Sequence, residues 1–117
     1  MSFGSLVRFW QDFASLRYLD LTGNGLDSLP DVSVFSGLEI LSLERNRLHS
    51  KDVLIALSFL DNLFELNLNE NELRGIPVEA AGPGCFPVLQ TLGLAKNRID
   101  DSDELLPLTQ LPVLQEV

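Results

Sequence analysis

Residues 63–73 read LFELNLNENEL. Leu66 and Leu68 are two apart, which puts both on one face of an extended strand and Asn67 on the other. Asn71 comes three residues later and Leu73 two after that, a spacing that continues neither a strand nor a helix. The same eleven-residue pattern begins at Leu16 (LRYLDLTGNGL), Leu38 (LEILSLERNRL) and Leu89 (LQTLGLAKNRI), and LQEV at Leu114 starts a fifth copy. The starts lie 22, 25, 26 and 25 residues apart, and a bulky apolar residue stands three before each: Phe13, Phe35, Leu60, Phe86 and Leu111. Four complete matches in register make this a repeat and not a by-product of leucine richness.

The pattern has a physical reading. A strand of three residues cannot bury its leucines alone. Strands stacked about 4.8 Å apart in a parallel ladder join them into one core. The asparagine falls where the chain must turn away from the sheet, and its short amide can bond backbone groups left unpaired there. The next apolar residue, Leu26, Leu48, Leu73 or Ile99, brings the chain back to the core.

The motif L-x-x-L-x-L-x-x-N-x-L at this period resembles the leucine-rich repeat family, and the resemblance covers residues 13–117, nearly the whole chain. It implies an α/β solenoid with a short parallel β-sheet on its concave face and helices and irregular coil on its convex face. It also implies an internal ladder made by Asn24, Asn46, Asn71 and Asn97, which are then scaffold and not catalytic amides. The uneven repeats are similar to those of the intracellular branch of the family. Residues 1–15 are expected to be an N-terminal cap or the end of a preceding repeat, and 16–117 the repeat domain. In residues 3–13, Phe3, Leu6, Val7, Trp10 and Phe13 fall at near-helical spacing. A chain that stops within LQEV would leave a parallel edge unpaired, so a longer protein, or another chain over that edge, is expected.

The segments between the motifs differ from one another. HSKDVLIALSFLDN, from His49 to Asn62, predicts a helix with Ser50 as N-cap, Asp52 at its positive end, and Val53, Leu54, Leu57 and Leu60 on its inner face. DDSDELLPLTQ predicts a second helix capped by Asp101 or Ser102 and limited by Pro107. DSLPDVSVFSG predicts a 3₁₀ turn or irregular chain. GIPVEAAGPGCFP has too many glycines and prolines for a long helix and predicts an irregular loop.

The composition narrows the function. The chain has 117 residues, 45% hydrophobic and 21% charged, with a net charge of −9. Such an acidic domain is a poor binder of nucleic-acid phosphates or of anionic membrane surfaces, which need Lys and Arg. No apolar run reaches the roughly 20 residues that span a bilayer, and the N-terminus lacks a signal-type apolar run. Cys85 is the single cysteine and no Asn-x-Ser/Thr sequon occurs, which points to a reducing compartment, cytoplasmic or nuclear. Cys85, beside Phe86, reads as a small buried hydrophobe. His49 reads as a surface or turn residue. The acidic run Asp100, Asp101, Asp103, Glu104 lacks the alternating ligands and central glycine of a calcium loop and reads as helix capping. No catalytic, metal or cofactor motif is present.

The outward positions of the strands are then the candidate site. One row is Tyr18, Ile40, Glu65 and Thr91. The next is Asp20, Ser42, Asn67 and Gly93. The third is Thr22, Glu44, Asn69 and Ala95. Beyond them stand Gly23, Arg45, Glu70 and Lys96, then Gly25, Arg47, Glu72 and Arg98. Within these rows Tyr18, Asp20, Ile40, Ser42, Glu44, Arg45, Glu65, Asn67, Glu70 and Thr91 are the expected partner-binding residues. Tyr18 and Ile40 are read as neighbouring exposed apolar anchors. The charges at the margin are expected chiefly to pair between coils. The expected function is a non-enzymatic module that presents this face to a protein. The alternative is a structural segment of a larger enzyme or receptor whose chemistry lies elsewhere.

Overall fold

A computed structural model describes residues 13–117. The helical spacing read over residues 3–13 lies outside them except for Phe13, whose ring packs 5.5 Å from that of Phe35. Four strands, β1 (Tyr18–Asp20), β2 (Ile40–Ser42), β3 (Glu65–Asn67) and β4 (Thr91–Gly93), form one parallel sheet in chain order. The register is that of the repeat: Tyr18 pairs with Ile40, Ile40 with Glu65, and Glu65 with Thr91. The fifth copy joins through Thr91 and Glu116, with the Leu92 N–H donating to the Glu116 carbonyl at 2.9 Å.

The apolar residue three before each motif has a local role. In each complete coil the first leucine donates its N–H to that residue's carbonyl: Leu16 to Phe13, Leu38 to Phe35, Leu63 to Leu60 and Leu89 to Phe86. This turn aims the chain into the strand. The leucines then close into one core. Leu43, Leu48, Leu63, Leu66, Leu68 and Leu89 are wholly buried. Leu16, Leu19, Leu21 and Leu26, in the first described coil, are half-buried and pack against this core.

The linking segments run along the other side. The α-helix α1 (Lys51–Leu57) starts as expected, with the Ser50 hydroxyl accepting the Asp52 N–H at 3.1 Å. It is shorter than the apolar spacing implies. Leu60 lies beyond it, in the turn that leads to Leu63. The second expected helix is a 3₁₀ helix, Ser102–Gln110, capped by the Asp101 carboxylate on the Asp103 N–H at 2.9 Å. Pro107 sits inside this helix and does not end it. Its ring nitrogen cannot donate to the Glu104 carbonyl, and the Ile76 N–H of the preceding coil takes that carbonyl at 3.0 Å. Short 3₁₀ turns occupy Val32–Phe35 and Val78–Ala80, the latter inside the Gly/Pro loop. Cys85 is a free buried thiol donating to the Glu79 carbonyl. His49 is exposed.

Candidate protein-binding face

The asparagines hold this face in place. Asn71 is buried, and its Oδ1 accepts the Leu48 N–H of the preceding coil at 3.1 Å. Its Nδ2 donates to Leu68 O in its own coil at 3.1 Å and to Leu43 O in the preceding one at 3.0 Å. Asn46 and Asn97 repeat the arrangement one coil either way. Leu21 O, Leu43 O and Leu68 O therefore each receive two amide donors, one from their own coil and one from the next. Asn24 bonds the Leu21 carbonyl in its own coil but is exposed. The ladder implied by the sequence is present, and it is buried only at Asn46 and Asn71.

The residue before each asparagine lies in the left-handed region: Gly23 (φ 73°), Arg45 (54°), Glu70 (58°) and Lys96 (57°). This turn sends the N–H of Gly23, Arg45 and Glu70 to Glu44 O, Asn69 O and Ala95 O of the following coil. It extends the ladder past the strands, at a strain of about 1 kcal/mol for each non-glycine. The sequence reading missed this conformation. Gly23 at the first of the four positions was the available signal.

The outward rows lie where the register put them. Tyr18 is 56% exposed. Ile40 is half-buried and not exposed as expected, because it sits mid-sheet between the side chains of Tyr18 and Glu65. Glu65 is exposed, and Ser42, Asn67 and Thr91 are half-buried. Asp20 is exposed and accepts the Thr22 N–H at 2.9 Å. The Thr22 hydroxyl and N–H hold its carboxyl below the usual 3.8. Thr22 also shares a 2.8 Å hydroxyl bond with Ser42 in the next coil. In the third coil Asn67 Oδ1 accepts the Asn69 N–H, and Asn69 Oδ1 accepts the Ala95 N–H. The face is therefore a set of short polar side chains tied to the backbone, with Tyr18 standing above them.

The charges divide into paired and unpaired. Glu72 pairs with Arg98 at 3.1 Å and Glu39 with Arg17 at 3.5 Å, both between neighbouring coils. The expected pairing does not extend to Arg45, Arg47, Glu70 or Lys96, which make no ion pair among the described residues. Glu44 and Glu65, nearer the sheet, also make no ion pair among the described residues. No helix among the described residues is long and apolar enough to cross a membrane.

A family model for the Leucine Rich Repeat matches residues 15–36. Human podocan-like protein 1 is 41% identical over 85 residues, which is 73% of this chain and 16% of that protein. Human leucine-rich repeats and immunoglobulin-like domains protein 3 is 33% identical over 97 residues, 81% of this chain and 8% of that one. The leucine-rich repeat domain of APL1B superposes over the whole chain with a TM-score of 0.60 at 19% identity, covering 35% of that structure. A Leptospira interrogans leucine-rich repeat protein gives 0.57 at 26% identity over 96% of this chain and 33% of its own. With the repeat, the parallel sheet and the asparagine ladder, these likenesses decide the family.

The chain belongs to the leucine-rich repeat family.

Leucine-rich repeat domains are in general protein-interaction modules. This leucine-rich repeat chain spans about a sixth or less of the curated relatives named above.

Proposed function

We propose that this leucine-rich repeat segment is a non-enzymatic scaffold that binds a partner protein on the sheet side. The observation that carries the reading is the contrast between an ordered backbone and unengaged side chains. The ladder and the Thr22–Ser42 bond fix the face, while Tyr18 stays largely exposed and Glu44 and Glu65 make no ion pair among the described residues. A rigid surface with an exposed tyrosine loses little entropy on binding, and tyrosine is a frequent interface anchor. The carboxylates favour a partner with Lys or Arg at the contact and disfavour nucleic acid and anionic membranes.

A photo-crosslinking residue placed in turn at Tyr18, Thr91, Val78 and Val88 tests the reading in lysate. Adducts with a protein from Tyr18 and Thr91, and none from Val78 and Val88, are expected. Adducts from the last two alone would refute sheet-side binding.

A second reading has one observation behind it. The chain covers 16% and 8% of its relatives, which fits a structural segment of a larger enzyme or receptor whose chemistry lies elsewhere. A cytoplasmic or nuclear location rests on the lone free Cys85 and the missing sequon. Imaging of the full-length tagged protein tests it, and entry into the secretory pathway would overturn it.

A further inference from the structure

The helical side carries a cleft that the sheet-side reading does not use. It has a volume of about 620 Å³ and lies between the Val32–Phe35 turn of one coil and α1 of the next. Its floor is buried Val32 and Leu60, and one wall is Phe59, 67% exposed over an apolar floor. The sequence predicts a helix through this stretch, yet Phe59 falls off the apolar period of Val53, Leu54, Leu57 and Leu60, which leaves it no place in the core. The two coils are clamped beside the cleft by Asn62, whose Nδ2 donates to the Ser36 carbonyl at 3.1 Å. The cleft is thus preformed.

Its charge is one-sided. Asp31 and Asp61 line it, and among the described residues no lysine, arginine or histidine does. The Asp31 carboxylate accepts the Ser33 N–H at 3.0 Å. It is therefore fixed in place as the N-cap of the turn. Asp61 makes no ion pair among the described residues. An occupant has to cover an aromatic ring and an aliphatic floor and to bring positive charge to two carboxylates. A second copy of this chain, at −9, is repelled by the first. An uncharged apolar ligand would cover the floor and leave both carboxylates without a counter-charge.

We propose that this cleft docks a short segment of a partner protein in which an apolar side chain is flanked by Lys or Arg. A cleft of about 620 Å³ suits the few side chains of a short segment, so the contact is a small linear motif and not a broad interface. This site is separate from the sheet side and does not depend on it.

The test is fluorescence anisotropy with two labelled hexapeptides, GRLFRG and GELFEG, on the wild-type chain. Saturable binding of GRLFRG, tighter than that of GELFEG by about tenfold and weakened by added salt, is expected. Phe59→Ser should abolish it, and Asp31→Asn with Asp61→Asn should bring the two peptides to equal affinity. Asn retains the N-cap, and Phe59 is exposed, so circular dichroism of both variants should match wild type. Tyr18→Ala should leave binding unchanged. Absence of saturable binding, equal binding of the two peptides to wild type, or persistence of binding in Phe59→Ser overturns the proposal. So does concentration-dependent dimerisation in sedimentation that Phe59→Ser removes, which would make a second copy the occupant.

Discussion

Replacing Asn71 tests the ladder most sharply. Asn71→Leu keeps the approximate volume and removes the amide. The Leu48 N–H then loses the only bond it has among the described residues, and a buried orphan donor costs about 1–3 kcal/mol. Leu43 O and Leu68 O each lose one of two donors but keep Asn46 and Asn97 respectively, at 2.8 and 2.9 Å, so each loss is smaller, roughly 0.5 kcal/mol. The sum is about 3 kcal/mol, a large part of the total stability of a domain of this size, and lowers Tm by about 10 °C. Asn71→Asp adds a sign that packing alone does not give. The acceptor oxygen is retained, but the other oxygen now faces carbonyls, which favours the neutral acid and raises the folded pKa above the unfolded value of about 3.9. The destabilisation of Asn71→Asp should therefore grow as pH rises from 4 toward 7 and shrink on acidification. Asn24→Leu, at an exposed rung, should cost under about 1 kcal/mol. Urea denaturation of the three variants at pH 5 and 7 makes the comparison. Asn71→Leu within 1 kcal/mol of wild type, or equal to Asn24→Leu, would refute the ladder as a stabilising element.

Two further predictions concern the turn and the polar face. Gly23→Ala places a side chain at φ 73° and should cost about 1 kcal/mol. Gly82→Ala meets nothing within 4 Å and has no left-handed requirement, so it should be neutral or stabilising by about 0.5 kcal/mol in the same denaturation assay. Thr22→Val removes the hydroxyl that holds the Asp20 carboxyl below 3.8. By NMR titration the Asp20 pKa should move up toward its ordinary value. Because the folded value is depressed, the wild-type contribution is present above pH 3.8 and is lost as pH falls through the lower folded value. An Asp20 pKa unaffected by Thr22→Val would contradict the part given to the hydroxyl and leave the Thr22 N–H as the group that lowers it.

The strand register was legible because two rules coincide in each repeat. Alternation fixes which residues face out, and the asparagine fixes where the strand must end, so the alignment of Tyr18, Ile40, Glu65 and Thr91 follows from the repeat itself. The linking segments were less legible. Ser50 and Asp101 are equally good N-caps, yet one opens an α-helix and the other a 3₁₀ helix, and the difference at Pro107 is absorbed by Ile76 from another coil. Leu60 fits the helical period of α1 but serves the turn into β3. The left-handed backbone at Arg45, Glu70 and Lys96 was hidden because none of them is a glycine. The half-burial of Ile40 depends on the size of its cross-strand neighbours, which a periodicity argument does not weigh.

The central claim is that the sheet side binds a protein. The measurement that tests it most directly is the affinity of the crosslinked partner, once purified, for wild type and for Tyr18→Ala, with thermal unfolding of both followed in parallel. Tyr18 is 56% exposed, so the account predicts an unchanged Tm and a Kd weakened by about tenfold or more, the loss of an anchor worth about 1.4–2 kcal/mol. An unchanged Kd with an unchanged Tm would contradict it.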